Sequence, residues 1–114
     1  MEDILNETIL SFNDYIERVP NGCMTIVNIL RDDRIAEALT YIRDFSEGAS
    51  WLMEASELLK KNNVSIQLDM TKIIEYLMEI NEGLSIEDYN LVADIFEYEI
   101  APFFLEIDTG AFKN

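Results

Sequence analysis

The sequence predicts an all-α protein, an antiparallel bundle of about four helices with the first kinked at Pro20. Three observations carry that prediction. Apolar residues recur at intervals of three and four through most of the chain, the spacing of one face of a helix. Only two prolines, Pro20 and Pro102, and four glycines interrupt it. Strand-like alternation is confined to one stretch, "NNVSIQLD" at 62–69. The 114 residues include six Phe, five Tyr and one Trp, enough apolar bulk for one hydrophobic core, so residues 1–114 are read as a single helical-bundle domain.

The first helix spans 3–31. Leu5, Ile9, Phe12, Ile16, Val19, Cys23, Ile26 and Leu30 keep intervals of 4, 3, 4, 3, 4, 3 and 4. The stripe crosses "VPNG" (19–22) without losing phase, which favours one helix with a bend over two helices broken at 19–22. An interior proline costs about 3 kcal/mol, and packing must offset it.

A second helix is expected over 34–61, with Asp32 or Asp33 as N-cap and Lys60 and Lys61 suiting its negative end. Its main stripe is Ile35, Leu39, Ile42, Phe45, Ala49, Leu52, Ala55 (or Ser56) and Leu59. A second stripe, Tyr41, Gly48, Trp51 and Leu58, implies contact with more than one neighbour. Val64, Ile66 and Leu68 alternate, but a lone strand would have no partner, so an extended segment pressed on the core is expected.

The third helix spans 70–82, capped by Asp69, with Met70, Ile73 (or Ile74), Leu77 and Ile80 inward and Gly83 as its left-handed C-terminal residue. "SIED" then offers Ser85 as N-cap, with Asp88 three residues on. The fourth helix, 86–107, carries two apolar stripes. One is Tyr89, Val92, Phe96, Ile100, Phe103 and Ile107; the other is Leu91, Ile95, Tyr98, Pro102 and Leu105. A narrow polar strip, Asn90, Asp94, Glu97 and Ala101, separates them. Pro102 should kink this helix or end its regular part, and the tail "DTGAFKN" (108–114) should be loose.

A short pattern, Tyr-[Ile/Leu]-x-x-apolar-x-x-Gly, repeats at Tyr15/Gly22, Tyr41/Gly48 and Tyr76/Gly83. It places Gly22 and Gly48 near a helix crossing.

Charge and missing residue types narrow the function. The net charge is −15. From Ile73 to Phe112 there are ten Asp or Glu and no Lys or Arg. That field disfavours nucleic acid and anionic lipid as ligands and favours a basic partner surface; solubility alone would also explain it. No apolar run approaches the roughly 20 residues of a membrane span. An acidic start without a signal-peptide pattern and a lone Cys23, expected as core filler, predict a cytoplasmic protein.

The chain has no histidine, which removes the commonest general base and metal ligand. No phosphate-binding Gly-Lys-Ser/Thr loop and no Gly-x-Ser-x-Gly elbow occur. Glu54/Glu57, Glu79/Glu82 and Asp94/Glu97 have the helical spacing of the Mg²⁺-binding carboxylates in all-α nucleotide pyrophosphohydrolases. So acidic a chain yields such pairs readily, and this is the least favoured reading. No enzyme, cofactor or metal is expected.

The stretch "DYNLVADIFEYEI" (88–100) resembles a segment of an uncharacterised family of short, acidic, all-helical bacterial proteins. The shared pattern falls on Asp88, Tyr89, Leu91, Ala93, Asp94, Glu97, Tyr98 and Glu99. "EGASWLMEA" (47–55) is similar to another part of that family. The resemblance implies a helical bundle and no established activity. In size, acidity and helical hairpins the chain is also similar to flagellar export chaperones, which wrap helical tails of their clients.

These readings converge on a non-catalytic protein-binding module, an adaptor or chaperone-like protein. Its expected contact surface is the second stripe of the last helix, Leu91, Ile95, Tyr98, Pro102 and Leu105, with Phe104 and the acids Asp94 and Glu97. The expected partner is a protein with basic and apolar surface, such as an amphipathic helix. A homodimer, a structural self-associating bundle, or an acidic inhibitor that mimics nucleic acid are the alternatives.

Overall fold

The computed structural model describes residues 2–66 and 68–107; the tail expected to be loose lies outside the described residues. Helix α1 (Glu2–Arg31) is followed by α2 (Ile35–Lys61) and α3 (Met70–Ser85). The last helix runs through α4 (Tyr89–Asp94), a π-helical segment (Ile95–Ile100) and α5 (Ala101–Leu105). Among the described residues there is no strand. The protein is an all-α bundle.

Helix α1 is the hub. It packs against α2 on one flank and against the last helix on the other, while α3 lies on the last helix and barely touches α2. At about 1.5 Å per residue, 30 residues make a rod about 45 Å long, and the molecule measures 46 × 22 × 21 Å. All eight residues of the α1 stripe are buried, joined by Val27 and Ile29. The helix is unbroken through Pro20, which has no N–H to give the carbonyl of Ile16. Fully buried Ile16 and Phe12 lie one and two turns before it. Burial of such side chains stabilises by about 1.5–3 kcal/mol each, enough to hold the helix through the proline.

The helix ends use a device that the sequence conceals. Asp33, Asn63 and Glu87 have φ of 60°, 65° and 55°, the left-handed conformation that glycine usually supplies. Each follows a helix, and the next amide reaches back five residues: Arg34 to Ile29 O (3.1 Å), Val64 to Leu59 O (2.9 Å) and Asp88 to Gly83 O (2.9 Å). These Schellman closures satisfy carbonyls left open at the helix ends.

They correct three expected caps. Asp32 and Asp33 belong to the exit of α1, and Arg34 occupies the N-cap position of α2 without a side-chain bond. Gly83 is inside α3, and Glu87 holds the left-handed position. Ser85 lies in the last turn of α3 and donates to Glu82 O, whereas Asp88 caps α4 by accepting from the Leu91 amide at 3.1 Å. Asp69 caps α3 through the Lys72 amide, as its position predicts.

The inward faces follow the expected period with shifts. On α2, Ala38 is buried and Leu39 is 41% exposed, so the inward face lies one residue earlier than expected at this turn. On α3, Tyr76 replaces Leu77 as the buried residue, and its ring meets Phe103 edge-on at 5.5 Å. Val64, Ile66 and Leu68 are all buried without forming a strand.

The last helix departs most from a regular pattern. The Ala101 amide bonds the carbonyl of Phe96, a π-type bond over five residues. Pro102 has no amide to continue the ladder, so the turn before it is free to widen. Widening keeps Val92, Phe96, Ile100 and Phe104, spaced by four, all on the core side at 0%, 0%, 0% and 2% exposure. A regular α-helix would drift about 40° at each such step. Phe104 is therefore core and Phe103 only half-buried. Ala101, expected on the polar strip, is buried as well.

Candidate functional site

Apolar side chains remain in solvent along the outward side of the last helix, as they also do at Ile4 and Leu10 of α1. Leu91, Tyr98 and Leu105 are 41%, 67% and 69% exposed, and Pro102 is exposed beside them. Leu91, Tyr98 and Leu105 recur every seven residues, about two helical turns, and with Pro102 form an outward strip. The structure thus leaves four of the eight expected contact residues as an apolar surface.

Two of the eight are corrected. Ile95 is 3% exposed and Phe104 is 2% exposed; the π turn rotates both toward the core. Phe104 packs in the core, and Ile95 is reached only at the floor of a cleft.

The two acids have a different surprise. Arg31, the last residue of α1, places Nη2 2.9 Å from Asp94 Oδ1 and 2.8 Å from Glu97 Oε1. The directed hydrogen bond goes to Asp94, and Glu97 is half-buried. Both carboxylates therefore tie the last helix to the end of α1, and their charge is partly spent inside the molecule.

Other acids take their place beside the strip. Glu79 and Glu82 of α3 and Glu99 of the π segment line a cleft of about 240 Å³, together with Leu91 and Ile95. Burial, and then the neighbouring charge and hydrogen bond of Glu79, push the Glu99 carboxyl above the ordinary glutamate range, against a weaker pull from Lys72. Ile74 and Met78 of α3 are also exposed, at 46% and 66%. The result is an apolar strip flanked by carboxylates that lack a full complement of cations.

Among the described residues no group of three or more Cys, Asp or Glu is arranged to hold a metal ion. Glu79/Glu82 face Glu99, and Asp94/Glu97 face Arg31. Cys23 is 1% exposed, on the core stripe of α1, and burial pushes its thiol up to about 12. Among the described residues no helix is long and apolar enough to cross a membrane.

Fold and surface define a small all-α protein with an acid-flanked apolar strip along its last helix. Residues 7–109 match the family model described as "Domain of unknown function (DUF8042)", and the chain belongs to that family. The match spans most of the chain, including both segments that carry the resemblance to an uncharacterised family. No curated protein and no solved structure matches the chain significantly.

Proposed function

We propose that this protein is a non-catalytic binding module, an adaptor or chaperone-like protein, whose contact surface is the outward strip Leu91, Tyr98, Pro102 and Leu105. The single observation that supports it most is the exposure of Tyr98 and Leu105, 67% and 69%, on an ordered helix whose opposite side is fully buried. Large apolar residues held rigidly in solvent are the anchors of interfaces. Glu79, Glu82 and Glu99 beside them favour a partner with basic residues around an apolar stripe, such as an amphipathic helix.

A chaperone-like role toward a helical client, in a cytoplasmic bacterial setting, is the finer form of this proposal. Nucleic-acid mimicry is less favoured, because Leu91, Tyr98 and Leu105 interrupt the carboxylates on that face.

The test is affinity capture from the native cell with the wild type and with Tyr98→Glu/Leu105→Glu, washed at low and high salt. The expected result is a retained protein that resists salt and is lost with the double variant, while circular dichroism stays unchanged. A partner that leaves steeply with rising salt would favour mimicry. Identical capture by both proteins would remove the proposal.

A further inference from the structure

We infer a second docking surface, separate from the last helix: the outer seam between α1 and α2 accepts an amphipathic helix of a basic partner protein. That helix carries a Phe or Leu and an Arg about eleven residues apart.

The seam is the uncovered side of α2. Its second apolar stripe, Tyr41, Gly48, Trp51 and Leu58, predicts a neighbouring helix. Yet Tyr41, Trp51 and Leu58 remain 44%, 37% and 43% exposed. Helix α1 covers part of Trp51 through Phe12 and Tyr15, but no further helix among the described residues closes over the stripe, since α3 barely touches α2 and the last helix lies on the other flank of α1.

Two hollows divide the seam. The upper one, about 240 Å³, lies between Val19, Gly22 and Cys23 of α1 and Tyr41 and Phe45 of α2. The lower one, about 370 Å³, lies between Ser11, Glu7, Trp51, Glu54 and Leu58. Tyr15 partitions them, its hydroxyl and ring lying where a Cβ on Gly48 would be, with its ring 6.1 Å from Trp51. Above Gly22 there is nothing within 4 Å of where a Cβ would be. A glycine inside a helix is destabilising relative to alanine, and here no contact of the chain itself requires it; it leaves the upper hollow open.

Spacing and charge select the occupant. The α2 residues of the two hollows are centred about eleven positions apart, about 17 Å along a helix. Eleven residues return a docked helix to nearly the same face, about 20° off. The upper hollow is floored by Val19, Cys23 and Phe45 and takes an apolar anchor. In the lower hollow two carboxylates, Glu7 and Glu54, flank the indole of Trp51, which suits a guanidinium stacked on the ring with its stem over Leu58. Arg18, the one cation lining the seam, is tied to Asp14 at 2.8 Å. A second copy of this chain would bring its own −15 charge against these acids, so a cationic helix is the better complement.

Trp51 is the one tryptophan and reports directly on the seam. The probe is a Trp-free peptide of about 20 residues, helix-forming and lysine-containing, with Phe and Arg about eleven positions apart in either order. Its control has the same composition with the pair about nine apart, which places them on opposite faces. The seam predicts a saturable shift of Trp51 fluorescence, with about tenfold or weaker binding of the control. Gly22→Leu fills open space and should not lower the melting temperature, yet it should weaken binding about tenfold. Glu54→Gln, at an exposed position, should weaken it too. Tyr98→Glu/Leu105→Glu should bind as the wild type does, which separates this surface from that of the last helix. Equal binding of both peptides, unchanged binding by Gly22→Leu, or no fluorescence shift would overturn the inference. So would a concentration-dependent dimer in gel filtration that Gly22→Leu abolishes, which would make a second copy the occupant.

Discussion

Helix α1 makes two seams, and they are built differently. Toward the last helix the core is closed: Val92, Phe96 and Ile100 have no exposure, and Phe45 of α2 closes on Phe96 edge-on at 5.2 Å. Toward α2 the inner edge is sealed by Ala49, Leu52 and Leu59, but the outer edge stays open over two hollows. An apolar stripe in a sequence therefore calls for a neighbour without saying which molecule supplies it. For the last helix, α1 covers one stripe and solvent the other; for α2, the second stripe lines an empty groove.

The sharpest way to break this contrast is to truncate one aromatic in each seam. Phe96→Ala should destabilise by about 3–5 kcal/mol, measured by urea unfolding. Trp51→Ala, at a partly exposed ring with neighbours at 6.1 and 6.4 Å, should cost about 1–2 kcal/mol. Equal losses would mean that the α1–α2 seam is as closed as the other.

The three repeated glycines sharpen it next. A Cβ on Gly83 would lie 2.8 Å from Cγ2 of Val92, a β-branched side chain with no exposure and little freedom. Gly83→Ala should therefore cost about 1–3 kcal/mol. Gly48→Ala should cost less, because Tyr15 is half-buried and its ring has solvent to swing into. Gly22→Ala should stabilise by about 0.5–1 kcal/mol, since nothing lies above it. Thermal melts that rank the three in another order would contradict the geometry.

The packed side also tolerates local penalties. Glu87 holds a left-handed φ of 55°, so Glu87→Gly should add roughly 0.5–1 kcal/mol. Glu99→Gln should stabilise by about 0.5 kcal/mol at neutral pH. The Glu99 carboxyl is raised by burial and by Glu79, so the folded state holds that proton more tightly than the unfolded one. Stability then falls as pH rises out of the ordinary glutamate range and is regained on acidification. The gain from Glu99→Gln should accordingly shrink as the pH is lowered toward 4.5, the ordinary value.

Much of this was legible in the residues, and the failures have identifiable causes. Periodicity places the whole α1 stripe because an unbroken helix keeps one phase over 30 residues. It also finds the second α2 stripe and the exposed Leu91, Tyr98, Pro102 and Leu105. It misplaces Ile95 and Phe104 because a constant 3.6-residue period cannot anticipate a π turn. The regular spacing of four from Val92 to Phe104, with Pro102 inside it, is the signal that was available. The caps misled because glycine is the usual left-handed residue, whereas Asp33, Asn63 and Glu87 take that role here. Pairing of Arg31 with Asp94, 63 positions apart, depends on packing that no local pattern encodes. Of the repeated glycines, Gly48 does sit at a close approach, Gly22 does not, and Gly83 packs on Val92 instead of capping.

The most direct measurement places a photo-crosslinking side chain at Tyr98, at Leu105 and, as a control, at exposed Arg43 of α2, each in the native cell. A binding strip on the last helix predicts that Tyr98 and Leu105 both form an adduct with the same other protein, one bearing basic residues around an apolar helix face, while Arg43 does not. Adducts only with a second copy of the chain, or the same yield from all three positions, would contradict it.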